Sequence, residues 1–279
     1  MTALDLIKNY PFIYQDDEYF YLYRHQSFVE HYIKGIADST LYFSSPQNFN
    51  DPFDSYFSLA EQPDRSFHDK ILSNLDIKGN PAQKILHRKK SRFLLEQSFK
   101  EDSFFEEHFK KIGVICLNHN PLNILMWSHY ADNHKGFLLE FRFPKNEQLL
   151  IKLDVLPVPV KYAEHFTKGK LDNFDVIQTY EMLYTKAMDW EYEKEFRMIL
   201  NAFQSIDDKQ RIYNYPQEWL CSIILGCKAD FSNVKIKGIL KDKTNIVSIY
   251  RAQKLPNSFG LTVPNHPRLD VLANSKKQK

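Results

Sequence analysis

The stretch from Lys186 to Leu200, KAMDWEYEKEFRMIL, concentrates groups that could do chemistry. From Glu193 onward it alternates with a period of two. Phe196, Met198 and Leu200 fall on one face of a strand, and Glu193, Glu195, Arg197 and Ile199 on the other. The first face suits a core. The second presents two carboxylates and a guanidinium in succession. Side chains two apart on a strand stand roughly 6.5–7 Å apart, so both carboxylates can reach one small ligand, and Arg197 can hold one of them ionised. The plainer alternative is a half-exposed strand with a solvated charged face, since every alternating strand has a polar side.

Two further stretches carry polar groups of interest. In WSHYADNHKG, Trp127 to Gly136, the residues His129, Tyr130 and His134 surround a helix end that Gly136 is expected to terminate. Five-residue spacing turns the two histidines to different helix faces, so a shared metal is not expected unless the helix has already ended between them. A structural role for each is the commoner case. The aromatic strand ending at Tyr23, Arg24 and His25 places an arginine at a strand end, where it serves as a surface charge or an anion anchor. Neither a glycine-rich phosphate loop, nor G-x-S-x-G, nor H-E-x-x-H is present, and no Cys/His spacing fits zinc. Cys116 lies within a strand pattern, where packing is the usual role.

The positioning elements follow from the remaining pattern. Strands are expected at Glu18–Arg24, Thr40–Phe43, Ile112–Leu117, Gly136–Phe143 and Cys221–Gly226, along an extended Leu149–Tyr162, and at Ile246–Tyr250. Helices are expected with Phe28, Tyr32, Ile33 and Ile36 on one face, over Pro81–Lys111, over Pro121–Asn133 with Pro121 in the first turn, over Asp175–Ala187, and over Phe231–Leu240. Between them, SSPQNFNDPFD from Ser44 to Asp54 is turn chemistry throughout, with Asn50 and Asp51 among its polar groups and Phe49 and Phe53 to pin it. The basic run Lys84–Arg92 reads as a solvated helix face. No regular βαβ rhythm appears. An α+β class with mixed, largely antiparallel sheets is expected, as one domain over 1–263 with a helical insert at about 65–111 and a flexible tail over 264–279.

Composition bounds the rest. The 279 residues are 43% hydrophobic, enough for a large core dense in its 22 Phe and 16 Tyr, and the net charge of +2 gives no global drive toward nucleic acid or membrane. Three cysteines, no leader-like N-terminus and no apolar run near 18 residues point to a reduced, cytoplasmic protein without a membrane partner.

LYFSSPQNFNDPFD, MWSHYADNHKGFLLEF and W-x-Y-E-K-E-F-R, in that order between Tyr21 and Gly226, resemble the signatures of the bacterial domain of unknown function 2971 family. The N-terminal half is also similar to ADP-ribosyltransferase-type folds. LYRHQS, Leu22 to Ser27, puts Arg24 at the Arg/His position of their first motif, and Ser44 and Ser45 close the next strand. Glu193-Lys194-Glu195 is similar to their E-x-E motif, whose final Glu binds the nicotinamide ribose. Ser44-Ser45-Pro46 departs from their S-T-S, and His25 from their usual aromatic.

This second resemblance implies an ADP-ribosyltransferase-like split sheet and NAD as substrate, a small-molecule dinucleotide, with a protein or nucleic acid as acceptor and a role as a toxin or phage-defence effector. Glu195 and Glu193 would be catalytic. Arg24, Tyr23, Ser44, Ser45, His129 and Tyr130 would bind NAD, while Asn50, Asp51, Trp127, His134 and Arg197 would shape the site. Two alternatives stand beside it. One is a metal-dependent hydrolase or nuclease-like effector using Glu193, Glu195, His129 and His134 with Mg or Mn. The other is a non-catalytic sensing or interaction module in which the Glu/Arg face only orders a cleft. In the first reading Trp190 packs on the body and turns the charged face into a concave site, walled by the SSPQNFNDPFD loop and the WSHY helix, with Glu195 partly buried beside a cation.

Overall fold

YFYLYRHQ, rich in aromatic strand formers, becomes the central strand β1 (Tyr19–Gln26). Phe20 and Leu22 enter one apolar layer with Phe141, Phe143 and Phe196, while Tyr21 and Tyr23 enter another with Trp127 and Leu138. Burial on both faces explains why the run is apolar almost throughout. The computed structural model describes residues 10–56, 58–59, 64–73, 77–100, 110–152, 156–169, 176–200, 209–230, 232, 238 and 247–273.

After β1 come α1 (Glu30–Asp38), β2 (Thr40–Tyr42), α2 (Arg65–Ser73), α3 (Pro81–Lys100), β3 (Gly113–Asn118), α4 (Ile124–Tyr130) and β4 (Phe137–Pro144). Then follow β5 (Val158–Pro159), α5 (Val176–Leu183), β6 (Thr185–Ala187), β7 (Glu195–Leu200), β8 (Ile212–Asn214), β9 (Leu220–Leu225) and β10 (Ser248–Arg251). Among the described residues the main sheet runs β10-β9-β4-β1-β3-β7-β5, antiparallel except for the β9–β10 pair. The chain is thus α+β with a mostly antiparallel sheet. No helix among the described residues is long and apolar enough to cross a membrane.

The sheet opens at the seam between β1 and β3. β1 pairs with β4 along its whole length, from Tyr19↔Pro144 to Gln26↔Phe137, but with β3 only at Tyr23↔Asn118. Asn118 ties the seam through Nδ2, which donates to the Tyr23 carbonyl at 3.1 Å. From there the two strands part. Ser44, just after β2, enters the fork and exchanges both backbone hydrogen bonds with Val114 at 3.0 and 2.8 Å.

Several local expectations are corrected. Residues Glu147–Lys152 form a short helix where an extended run was expected. The helix expected to reach Ala187 ends at Leu183, and Thr185–Ala187 is a strand paired in parallel with Lys161–Ala163. Pro121 precedes α4, whose cap is Asn123: its Oδ1 accepts from Leu125 N at 2.9 Å and its Nδ2 donates to Tyr192 O at 2.8 Å. Gly136 does not end that helix. It lies against β1, where a Cβ would stand 2.2 Å from the Gln26 carbonyl oxygen, while Asp132, Asn133 and His134 take the positive φ values of the turn. Most of the helix expected over Phe231–Leu240, and the end of the insert at 101–109, lie outside the described residues. On α3 the basic side chains Lys84, Arg88, Lys89 and Lys90 are exposed, as a solvated face requires.

The segment expected to start a frayed tail is instead clamped to the sheet by the fully buried Glu140 of β4. Glu140 Oε1 accepts from the Tyr23 hydroxyl (3.1 Å) and Arg268 Nε (3.0 Å), and Oε2 from Ser222 Oγ (2.7 Å) and His266 Nε2 (3.2 Å). His266 Nδ1 accepts from the backbone N–H groups of Arg268 and Leu269, which leaves Nε2 as the proton-bearing donor. Burial pushes the Glu140 carboxyl up, but His266 and Arg268 outweigh it and hold it below its ordinary 4.5. A lowered folded-state value means stability that is present above about pH 4.5 and is lost as pH falls through the lower value. Glu140→Gln should therefore cost about 1–3 kcal/mol at pH 7, and the deficit should shrink as urea melts are repeated at falling pH. A deficit independent of pH would show that the charge of Glu140 is not what holds the segment.

Candidate functional site

The E-K-E motif is not a continuous strand. Met188–Glu193 is a 3-10 turn, closed by Lys194 in the left-handed region at φ 48°. β7 begins only at Glu195, so Glu193 sits outside the ladder that its alternation predicted. The kink has a chemical result. It brings both carboxylates to one ammonium, Lys186 on β6, whose Nζ donates to Glu193 Oε2 at 2.5 Å and to Glu195 Oε2 at 3.0 Å. Arg197 then clasps Glu195 from the strand side, through Nε to Oε1 at 2.6 Å and Nη2 to Oε2 at 3.2 Å. The same Nη2 donates to Asp54 Oδ2 at 2.6 Å, and Nη1 to the Leu183 carbonyl at 2.6 Å. Phe49 lies beneath the guanidinium, 5.3 Å from its carbon.

This face is not solvated: Glu193, Glu195 and Arg197 are 2%, 4% and 0% exposed. With Asp54, three buried carboxylates meet a single arginine, an excess of negative charge that burial penalises and a second cation offsets. Lys186 is that cation, and Trp190 covers it with its ring 5.0 Å from Nζ. Trp190 is half-buried.

The two carboxyl groups are driven apart in acidity. Burial pushes Glu195 up, but the Arg197 and Lys186 charges outweigh it and hold it at about 2. Burial also pushes Glu193 up; Lys186 pulls it down but no arginine assists, and the Glu195 charge adds to the rise, so its carboxyl stays above the ordinary range. The Tyr130 hydroxyl donates to Glu193 Oε1 at 2.6 Å. Cys116 of β3 faces Glu195, and burial, reinforced by that carboxylate, keeps its thiol protonated. One group is a fixed anion and its neighbour a proton acceptor closer to neutrality, the separation used for acid–base work.

These groups line a cavity of about 280 Å³ in the fork between β1 and β3. Of the residues singled out from sequence, Glu193, Glu195, Arg24, Ser44, Asn50 and Tyr130 line it, with Arg197 directly behind Glu195. The Arg24 guanidinium makes no ion pair or hydrogen bond among the described residues, and burial lowers its pKa from the ordinary 12.5.

Six expected site residues lie elsewhere, and each displacement has a local cause. Tyr23 is one residue from Arg24, so the period of the strand turns it to the opposite face, onto Glu140. Ser45 is spent on capping a 3-10 turn, its hydroxyl accepting from Gln47 N. Asp51 shapes its own loop by accepting from Phe53 N at 2.9 Å. Trp127 is core beneath α4, its Nε1 donating to the Pro121 carbonyl at 2.8 Å. His129 faces outward beside Trp190 and Tyr192. His134 stacks on Trp127 and meets Ser128 Oγ at 3.2 Å. The set Glu193, Glu195, His129 and His134 therefore does not converge, and no group of three or more His, Cys, Asp or Glu among the described residues could hold a metal ion. Of the loop rings, Phe49 pins the site whereas Phe53 is exposed.

Sequence reasoning missed Lys186, Asp54 and Asn118. The signal for Lys186 was the uncompensated carboxylate itself. Asp54, at the end of the SSPQNFNDPFD loop, carried no such mark.

Fold and site together define an α+β protein with a buried, doubly braced carboxylate pair in the fork of its sheet. Residues 126–198 match the model of the family described as a protein of unknown function (DUF2971), which bears out the family resemblance over the WSHY helix and the EKEFR strand. No curated protein and no solved structure matches the chain.

Proposed function

We propose that this protein cleaves the nicotinamide–ribose bond of NAD and transfers the ADP-ribose to an acceptor, a protein or a nucleic acid, as a toxin or defence effector would. The observation that carries the reading is the pair of carboxyl groups with opposed acidities, Glu195 held ionised at about 2 and Glu193 raised, facing one cavity with an unpaired arginine in its wall. When the C1′–N bond breaks, its electron pair leaves with nicotinamide and positive charge develops on the ribose. A preorganised carboxylate beside that carbon stabilises the charge where it forms, and Glu195 supplies it. The acceptor's nucleophile then bonds to C1′ and gives its proton to Glu193, whose raised pKa suits a general base. Arg24 takes phosphate oxygens. The parting of the sheet at Tyr23–Asn118 supports the split-sheet reading.

The test is direct. Purified protein incubated with NAD should release nicotinamide, and Glu195→Gln should not. Wild-type protein that releases none with protein and nucleic-acid acceptors present would sink the reading, as would a Glu195→Gln variant that matches it.

A further inference from the structure

Helix α3 carries a surface that the candidate site does not use. From Pro81 to Leu95 it holds Lys84, Arg88, Lys89, Lys90 and Arg92 and no Asp or Glu, a local charge that the chain's net +2 conceals. Arg92 pairs with Asp69 of α2. The other four are exposed and make no ion pair among the described residues. Solvation accounts for these bases but not for their neighbours. Ile85, Leu86, Phe93 and Leu94 are between 55% and 69% exposed, and large apolar side chains gathered in one exposed place mark a contact surface.

The helix has two apolar faces. At roughly 100° per residue, Leu95 and Phe99 lie together, and they pack into the core with Val114, Leu183 and Ile199. Ala82, Ile85, Leu86 and Phe93 fall within an arc of roughly 100°, about a third of a turn round from that docked face. Every residue from Pro81 to Lys90 is exposed, so the first half of α3 stands clear of the body with this arc uncovered. Lys84, Arg88 and Lys90 lie outside the arc. Its occupant must be apolar and anionic at once. A second copy of the chain would bring the same cations against these. Nucleic acid would take the bases and leave the aliphatic side chains idle, since phosphates are met by charge and nucleobases stack on rings. An apolar arc flanked by lysine and arginine is the pattern of a helix lying in the plane of a bilayer surface. Lys89, within the arc, reaches the headgroups along its stem.

We propose that α3 docks the protein, without spanning, on an anionic lipid bilayer. Ile85, Leu86 and Phe93 enter the headgroup boundary, and Lys84, Arg88 and Lys90 meet the acidic headgroups. The proposal stands apart from the transfer reading and uses none of its residues.

Co-sedimentation of the full chain with lipid vesicles tests it. Vesicles of about one-third phosphatidylserine in phosphatidylcholine should bind about a hundredfold more tightly than pure phosphatidylcholine, with the preference fading as salt is raised. Lys89→Gln together with Lys90→Gln should weaken binding to the acidic vesicles about tenfold or more, and Leu86→Asn about tenfold. These positions are exposed, so the melting temperature should be unmoved, which separates a lost contact from a lost fold. No binding by wild type, equal binding to both vesicles, or binding that Leu86→Asn leaves unchanged would overturn the proposal. Tighter binding to duplex DNA or RNA than to the acidic vesicles would overturn it in favour of nucleic acid. A dimer in analytical ultracentrifugation that Leu86→Asn dissolves would give the face to a second copy instead. None of these outcomes depends on NAD cleavage.

Discussion

Arg197→Met should destabilise the protein by about 3–5 kcal/mol, the cost of removing one partner from a buried ion-pair network. The guanidinium is fully buried and donates to Glu195, Asp54 and the Leu183 carbonyl. Methionine fills the stem but leaves all three acceptors short of a donor, with Lys186 the cation that remains to both carboxylates. The exposed pair Lys194–Glu191 is the internal contrast: Lys194→Ala should change stability by less than about 1 kcal/mol. Acid dependence gives a second reading of the same network. Glu195 is held at about 2 against an ordinary 4.5, so its contribution is full above pH 4.5 and is lost as pH falls toward 2. Urea melts from pH 7 downward should show that loss in wild type and a flatter profile in Arg197→Met. A variant within about 1 kcal/mol of wild type at pH 7 would mean that the network is not a stabilising brace.

Glu195→Gln should lower the rate of nicotinamide release about 10²–10³-fold, the size expected when one preorganised group that stabilises transition-state charge is removed. Glutamine keeps the shape and one acceptor oxygen but turns its NH2 toward a donor of Arg197 or Lys186 and removes a buried counter-charge, so the melting temperature is measured alongside and the rate is read at a temperature where the variant is folded. The pH profile separates the two carboxylates. Glu195 stays ionised down to about 2 and so sets no limb near neutrality. Glu193, raised by burial, must lose its proton to act as a base, so the rate should rise with pH through its value, above the ordinary 4.5. That limb should vanish in Glu193→Gln. Persistence of the limb would assign the proton transfer to another group. A protein that only senses or scaffolds would show Glu195→Gln changing the melting temperature with no NAD cleavage in either form.

The strands were legible because burial on one or both faces writes itself into hydrophobic period, and β1, β3, β4 and β9 lie within a residue or two of their expected bounds. The carboxylate pair and its arginine were legible as well, as were Arg24, Ser44 and Tyr130. What could not be read were effects that depend on backbone turns and long-range pairing. Lys194 is an ordinary residue in a left-handed conformation, and nothing in E-K-E announces that turn. Lys186 becomes a site residue only because Thr185–Ala187 pairs with Lys161–Ala163, a contact that leaves no local mark. His129 shows the converse: its type suggested chemistry, and its place on α4, one residue from Tyr130, turned it outward.

The single residue pair joining β1 to β3 has a mechanical meaning. It divides the main sheet into β10-β9-β4-β1 on one side and β3-β7-β5 on the other. Beneath both runs one continuous apolar layer, in which Leu22 and Phe141 meet Leu117 and Phe196. Apolar packing is non-directional, whereas a hydrogen-bonded ladder fixes register. The halves are thus glued but barely stitched, and the angle between them sets the width of the fork. A molecule lodged there would act as a strut, and its binding is expected to slow backbone amide exchange in β1 and β3 together.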